Sequence, residues 1–354
     1  MKSLGDLVEA RGHDAQNNFT FLRALAATLV IYGHSFALAP NACGTCADLV
    51  RSLTHFAAAH VVGVMVFFTI SGFLIASSYL RSASLSKFLL SRALRIYPGL
   101  VICLSVTVLL IGPLFTILSL VDYFRSEVTA GYFMTNLGLY STAYELPGVH
   151  FSATTYGNSV NGSLWTIPLE VRLYLCIALA GMTGILRSRK AANTLVTLLG
   201  IIIMTDPARF PLTGENSATH SLIFCFVTGA CFFINRQFIW VDGRILGLMV
   251  IIAVIALPIN KSAFTFISAA ALIYGVFCLA YAPKIPMPRW LGDYSYGIYL
   301  YGFPIQQMIA FLQPESGPYQ LMAISIPAAW LAGALSWNLV EHPLMNLRKK
   351  LQPD

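Results

Sequence analysis

The sequence predicts an all-α, polytopic membrane protein with about ten transmembrane helices, and three observations carry that prediction. Its 354 residues are 57% hydrophobic and only 10% charged, with a mean hydropathy of +0.70, whereas a soluble domain carries about 25% charge. The apolar residues come in continuous runs, and about 20 residues cross a ~30 Å hydrocarbon core as a helix. The alternating ten-residue segments of a β-barrel are absent.

The first run, 19–39, reads FTFLRALAATLVIYGHSFALA. Ala37-Leu38-Ala39 resembles a signal-peptide cleavage site. The segment before the run carries Asp6, Glu9 and Asp14, however, and Arg23 and His34 interrupt it, so it reads as a retained first helix. The second run, 58–80, contains Gly63, Ser71 and Gly72, small residues that let another helix or a ligand approach. A basic, partly amphipathic loop, Arg81–Pro98, leads to the third run, 97–121. A long loop rich in Tyr, Ser, Thr, Gly and Asn, Asp122–Gly162, precedes the fourth, 164–185. The remaining runs are 191–205, 218–235, 245–260, 263–282, 290–312 and 319–340. Those at 191–205 and 245–260 are short and imply tilt or local thinning. The length is read as a single membrane domain, 1–354, with no appended soluble domain, and nothing in it specifies an oligomer.

Basic residues set the expected orientation. Sixteen Lys and Arg residues, among them Arg92, Arg187 and Lys349, fall in one alternate set of connecting segments. Four, Arg51, Arg125, Arg209 and Lys261, fall in the other. The positive-inside rule then places both termini in the cytoplasm. This clustering between spans also explains the net charge of +7 without a nucleic-acid partner. Cys103, Cys176, Cys225, Cys231 and Cys278 fall in apolar runs as packing residues. Cys43 and Cys46, in CGTC, face the oxidising side and are candidates for a short-loop disulfide. No His or Cys set has metal-ligand spacing.

Ionisable residues within spans are functional candidates by default. Arg23 and His34 are eleven residues apart, which puts them on one helix face about 16 Å from each other. A cation near one surface and an imidazole three turns deeper suit a long ligand with phosphates at one end and a reactive group at the other. Arg92 and Arg95, one turn apart, can hold a phosphate or anchor the loop to lipid. Glu170 and Tyr174 share a face, and the carboxylate must be paired or wetted. Trp165 is either an interfacial aromatic or a sugar-stacking ring. The stretch GDYSYGIYLYGFPIQQ, 292–307, carries four tyrosines, Ser295 and two glutamines and reads as a cavity wall. Candidate substrate-binding side chains are Ser163, Trp165, Tyr174, Tyr294, Ser295 and Tyr299. Glu341, at a helix C-terminus, opposes the macrodipole and calls for an arginine partner among Arg23, Arg92 and Arg95. A transporter using Arg, His and Glu as a substrate or proton site is the competing class, but the inverted repeats that would favour it are not evident.

Six motifs in order resemble the acyltransferase 3 family of integral membrane acyltransferases. They are Arg23 with His34, the GVMVFFTISGFLI run at 63–75, RALRIYP at 92–98, SLWTIPLEVRLY at 163–174, GDYSYGIYLYGFP at 292–304, and Glu341-His342-Pro343. The resemblance implies transfer of an acyl group, usually acetyl, from cytoplasmic acyl-CoA to an extracytoplasmic carbohydrate hydroxyl. It implies His34 as the catalytic residue, either general base or transient acyl carrier, and Arg23, Arg92 and Arg95 as the CoA-handling cations. Glu170 is expected to orient His34 or to bind the acceptor. Gly302 stands where many members have a histidine, so no second catalytic histidine is assigned in that helix. Acetyl-CoA enters as donor substrate, with no permanently bound cofactor.

Overall fold

The computed structural model describes residues 2–11, 17–39, 47–82, 84–205, 217–286 and 292–351. Cys43 and Cys46, the candidate disulfide, lie outside the described residues, as does Arg209. The elements run α1 (Leu4–Arg11), α2 (Phe19–Leu38), α3 (Leu49–Thr54), α4 (Ala59–Arg81), α5 (Leu85–Val106), α6 (Gly112–Phe115), α7 (Leu120–Arg125) and α8 (Glu127–Gly138). They continue with α9 (Thr166–Met182), α10 (Arg189–Thr205), α11 (Ser217–Ile234), α12 (Gly243–Ala256), α13 (Lys261–Ala280), α14 (Ser295–Leu312), α15 (Pro318–Ser336) and α16 (His342–Leu351). A two-stranded antiparallel ribbon pairs β1 (Lys2–Ser3) with β2 (Trp240–Val241). It ties the N-terminus to the α11–α12 connection, where Leu4 N–H donates to the Ile239 carbonyl.

Every predicted run overlaps a helix, although the run at 97–121 crosses a non-helical break between Phe115 and Leu120. Six of the described helices are long and apolar enough to cross a membrane: Phe19–Leu38, Ala59–Arg81, Leu85–Phe115, Gly162–Met182, Lys261–Ala280 and Pro318–Asn346. Helices within Ala218–Ile234 and Gly243–Ala256 are apolar but shorter. On α12, Leu248, Val250, Ile251, Val254 and Ile255 are all exposed, as befits a helix whose outer surface meets lipid tails rather than water. The chain is a multi-pass, all-α membrane protein.

Two expectations are corrected. The stretch from Leu85 to Pro98 is helix, not loop: α5 begins there and carries Pro98 in its interior. Ser84 caps it by accepting from Lys87 N–H, and Phe88 is fully buried against Tyr79, so amphipathic burial decides the conformation. The third span therefore starts twelve residues before its expected boundary at 97, and a π-helical turn at Thr107–Ile111 carries it on to Phe115. The long segment Asp122–Gly162 contains most of α7 and all of α8 and is not a plain loop.

α4 is the central helix, packed most extensively on α11 and α2. Its small residues divide by role. Gly72 lets α4 meet the α11 backbone at Phe226, and Gly63 meets the Ala26 carbonyl and Val30 of α2. Ser71 instead faces a cavity. A Cβ at residue 72 would run into main-chain atoms that cannot yield, so Gly72→Val should separate α4 from α11 at a cost of roughly 1–3 kcal/mol. Gly131→Ala on α8 meets nothing within 4 Å and should be neutral. Thermal unfolding of both variants in detergent checks this; equal melting temperatures would refute the close-approach role of Gly72.

Candidate active site

Five helices wall a cavity of about 130 Å³. α2 contributes Arg23, α4 contributes Phe67 and Ser71, and α5 contributes Arg92 and Arg95. Thr166, Glu170 and Tyr174 come from α9, and Ser295, Tyr296 and Tyr299 from α14. Along α4 the cavity extends from Val64 to Ile75, eleven residues or about 16 Å.

Four charged side chains from four parts of the chain make one ion network at its edge. Asp293 accepts from Arg23 at 3.1 Å and from Arg95 at 2.8 Å. Arg95 also donates to Glu341 at 3.4 Å. Glu341 is 2% exposed and takes a second hydrogen bond from the Ser336 hydroxyl at 2.8 Å. A π-helical turn, Trp337–Glu341, ends at this carboxylate; the extra residue in such a turn re-aims side chains and is often found at functional sites. Arg95 further lies over the rings of Tyr296 and Trp337, with centroids 5.6 and 5.8 Å from its guanidinium carbon. The arginine expected opposite Glu341 is thus Arg95. Asp293, absent from the expected site residues, is its other partner. The available signal was an acid at a helix start in a chain with only 15 Asp and Glu residues.

Arg92 and Arg95 both reach the cavity, but Arg95 is committed to two carboxylates, whereas the Arg92 Nε–H donates to the Ser91 hydroxyl at 3.0 Å. Glu170 accepts from the Tyr174 hydroxyl one turn on and from Ser71 at 3.3 Å. It shares the arginine-lined cavity and makes no contact with His34. The expectation that it lies beside His34 fails because its face of α9 turns towards α4 and α5.

His34 lies elsewhere. Its ring packs on His60 of α4, centroids 5.0 Å apart, and meets Phe303 of α14 edge-on at 5.3 Å. α2 and α4 run antiparallel, with Gly33 opposite His60 and Gly63 opposite Ala26 and Val30. The His34 end of the cavity, at Val64, therefore stops about one helical turn, or ~6 Å, short of the imidazole. Phe67, in ring contact with Tyr299 at 5.8 Å, lines the cavity about one turn inside that end. His60 was missed because one histidine at the start of an apolar run gives no spacing signal.

The six candidate substrate-binding residues split. Tyr174, Ser295 and Tyr299 line the arginine cavity. Ser295 donates to Asp293 at 2.6 Å; the Tyr299 hydroxyl bonds the Ser163 carbonyl at 3.0 Å and the Thr166 hydroxyl at 2.7 Å. Ser163 is buried outside the cavity, its hydroxyl without a protein partner. Trp165 packs on the main apolar core. Tyr294 is buried among Ala27, Ile31, Ile298 and Ala329, the packing that replaces a cavity-wall role.

With this geometry in view, comparison with known proteins identifies the class. A family model described as an acyltransferase domain matches residues 16–337, and the chain belongs to that family, acyltransferase 3. It is 27% identical over 339 residues to an O-acetyl transferase of Shigella phage Sf6, covering 92% of this chain and 95% of that protein. It is 29% identical over 371 residues to nodulation protein 10 of Rhizobium leguminosarum bv. viciae, covering 96% and 95%. No solved structure matches. The protein is a membrane O-acyltransferase, which sets aside the transporter reading.

The ion network yields a quantitative expectation. Asp293→Asn and Arg23→Gln should each lower the melting temperature, and the double mutant should lose less than the sum. The coupling energy should fall within about 0.5–3 kcal/mol for partners in one network. Strict additivity in thermal unfolding would mean that the Arg23–Asp293 contact contributes nothing.

Proposed function

We propose that the protein transfers an acetyl group from cytoplasmic acetyl-CoA to a hydroxyl of an extracytoplasmic carbohydrate, such as an exopolysaccharide, O-antigen or lipo-oligosaccharide. The observation that carries this reading is the layout of α2. One unbroken helix puts Arg23 in a cation-walled cavity and His34 three turns further along. An acyl-CoA has the same polarity, with phosphates at one end and a thioester at the end of a flexible arm.

In this reading Arg92 meets the donor phosphates, while Asp293 and Glu341 hold Arg23 and Arg95 in place around them. A guanidinium already fixed by a carboxylate loses little side-chain freedom when a phosphate arrives. The pantetheine arm follows the cavity between α4, α9 and α14, and the thioester reaches His34 past the Val64 end. His34 then serves as general base for the acceptor hydroxyl or carries the acyl group transiently. In the first course the alkoxide oxygen attacks the thioester carbonyl, the C–S bond breaks, and CoA leaves as the thiol. In the second, the imidazole nitrogen attacks the thioester carbonyl, the C–S bond breaks and CoA leaves as the thiol; the acceptor oxygen then attacks the acyl-imidazole, and its proton passes to the departing imidazole nitrogen. Glu170, hydrogen-bonded to Tyr174 and Ser71 in the donor cavity, bears on the donor arm more directly than on the sugar.

We place ten spans in a bacterial inner membrane, with both termini cytoplasmic. The polar segment before α9 then faces outside, where Tyr140 and Tyr156 are exposed for carbohydrate contact.

Three measurements test the proposal. His34→Ala should abolish transfer of radiolabel from acetyl-CoA while leaving expression and membrane insertion intact; near-normal turnover would remove His34 from the mechanism. Arg92→Lys keeps the charge but loses the planar fork, and should raise the KM for acetyl-CoA by roughly three- to tenfold at unchanged acceptor KM. An unchanged donor KM would reduce Arg92 to a lipid anchor. In a background without native cysteines, cysteines at Ser126 or Ser152 should react with an impermeant thiol reagent in intact cells, and those at Ser188 or Asn346 only after permeabilisation. The reverse pattern would put the arginine cavity on the side that lacks CoA.

A further inference from the structure

Gln306 and Gln307, adjacent on α14, are fully buried, and each is wired the same way. The Gln306 amide nitrogen donates to the Ile31 carbonyl and to the Ser35 hydroxyl, both at 2.8 Å. The Gln307 amide nitrogen donates to the carbonyls of Tyr156 at 2.8 Å and Ser159 at 2.7 Å. These partners fix the amide orientation of Gln307, since a flipped amide would set its oxygen against two carbonyl oxygens. In both residues the carbonyl oxygen Oε1 is buried and meets no donor.

The same condition recurs around them. His34 Nδ1, His60 Nδ1 and the hydroxyls of Ser159 and Ser163 are also buried without a protein partner. Phe303 joins this set in space. Its ring touches His34, a Cβ on Gly162 would strike it, and Gln306 and Gln307 follow it by three and four residues on the same face of α14. A buried polar atom left unpaired costs about 1–3 kcal/mol, and folded proteins keep few of them. A concentration of them at the one histidine assigned to the chemistry calls for a ligand.

The chemistry of the vacant atoms narrows that ligand. The glutamine oxygens only accept, and a neutral imidazole nitrogen and a hydroxyl can accept as well. No cation is among these atoms, and the charges that act on His60, those of Asp48 and Arg51, are of opposite sign. An anionic ligand would find acceptors facing acceptors, whereas a neutral polyol brings O–H donors and matches the set.

We propose that His60 and Gln307, with Gln306, form a hydroxyl-recognition site for a neutral sugar beside His34, separate from the arginine cavity. Gln307 accepts from one sugar hydroxyl and His60 from another, which leaves a third hydroxyl facing His34. Gly33 serves the site by letting the α4 backbone at His60 come against α2, so that the two imidazoles share one end of the bundle. This inference rests on the reading of the chain as a carbohydrate acetyltransferase and assigns the acceptor side of that reaction.

The test uses the full-length protein in lipid nanodiscs, radiolabelled acetyl-CoA, and oligosaccharide released from the producing cell's surface glycan and de-O-acetylated with mild base. Gln307→Leu removes the amide at similar size; His60→Phe keeps the ring contact and removes the nitrogens. Each should raise the KM for the oligosaccharide about three- to tenfold and leave the KM for acetyl-CoA within about twofold of wild type. If Gln307→Leu does not fold, by melting temperature in the nanodisc, His60→Phe decides alone. An unchanged oligosaccharide KM in the folded variants, with wild type active, would overturn this assignment and leave the transferase reading standing. Binding of acetyl-CoA by wild type with no transfer to the glycan would overturn the carbohydrate-acceptor reading and this one with it.

Discussion

Asp293 accepts from two guanidinium groups on two different helices, Arg23 on α2 and Arg95 on α5, and Arg95 passes the connection on to Glu341 at the end of α15. The architecture of the cavity depends on this carboxylate. Each ion taken out of water costs several kcal/mol in effective terms, and a charge left without its counter-ion is worse than no charge at all. Two cations and two anions in contact meet that cost together. They also fix the relative positions of the starts of α2 and α14, the middle of α5 and the end of α15. Apolar packing alone cannot do this in a bilayer, where lipid tails satisfy an exposed leucine as well as a neighbouring helix does.

The network also shapes the chemistry. Its members are full charges at the edge of a narrow cavity, and they are already paired. Arg23 and Arg95 therefore present oriented N–H groups rather than mobile cations. Glu170 and its hydrogen-bond partner Tyr174 extend the polar lining along α9. The opposite end is a different environment. There His34 meets a second imidazole and an aromatic edge, with Asp48 and Arg51 close enough to act electrostatically on His60. One protein thus holds an ion-paired cavity and, about a helical turn away, a pair of packed imidazoles.

The close helix crossings make this separation possible. Gly63 and Gly33 bring α4 onto α2 so tightly that the antiparallel pair holds its register, and Gly72 does the same against α11. Register on the α2–α4 pair sets how far His34 lies from the cavity, because a shift of one turn moves a side chain by about 5.4 Å along the axis.

The sequence by itself determined the class of fold and the positions of the helices. Apolar run length and charge scarcity are one-dimensional properties, and a bilayer forces any such run to satisfy its own backbone as a helix. It also marked Arg23, His34, Glu170 and Glu341, since an ionisable residue in an apolar run stands out without any knowledge of its neighbours. It misread Leu85–Pro98 as loop because basic residues masked an amphipathic helix whose burial of Phe88 appears only once α4 is beside it. What only the tertiary structure decided is partnership: Asp293 for the arginines, Tyr174 and Ser71 rather than His34 for Glu170, His60 for His34, and core packing rather than a cavity wall for Tyr294. Helical periodicity tells which residues of one helix share a face. Which face of another helix it meets, and at what register, depends on steric fit at residues such as Gly33 and Gly63, and on charges hundreds of residues apart finding one another.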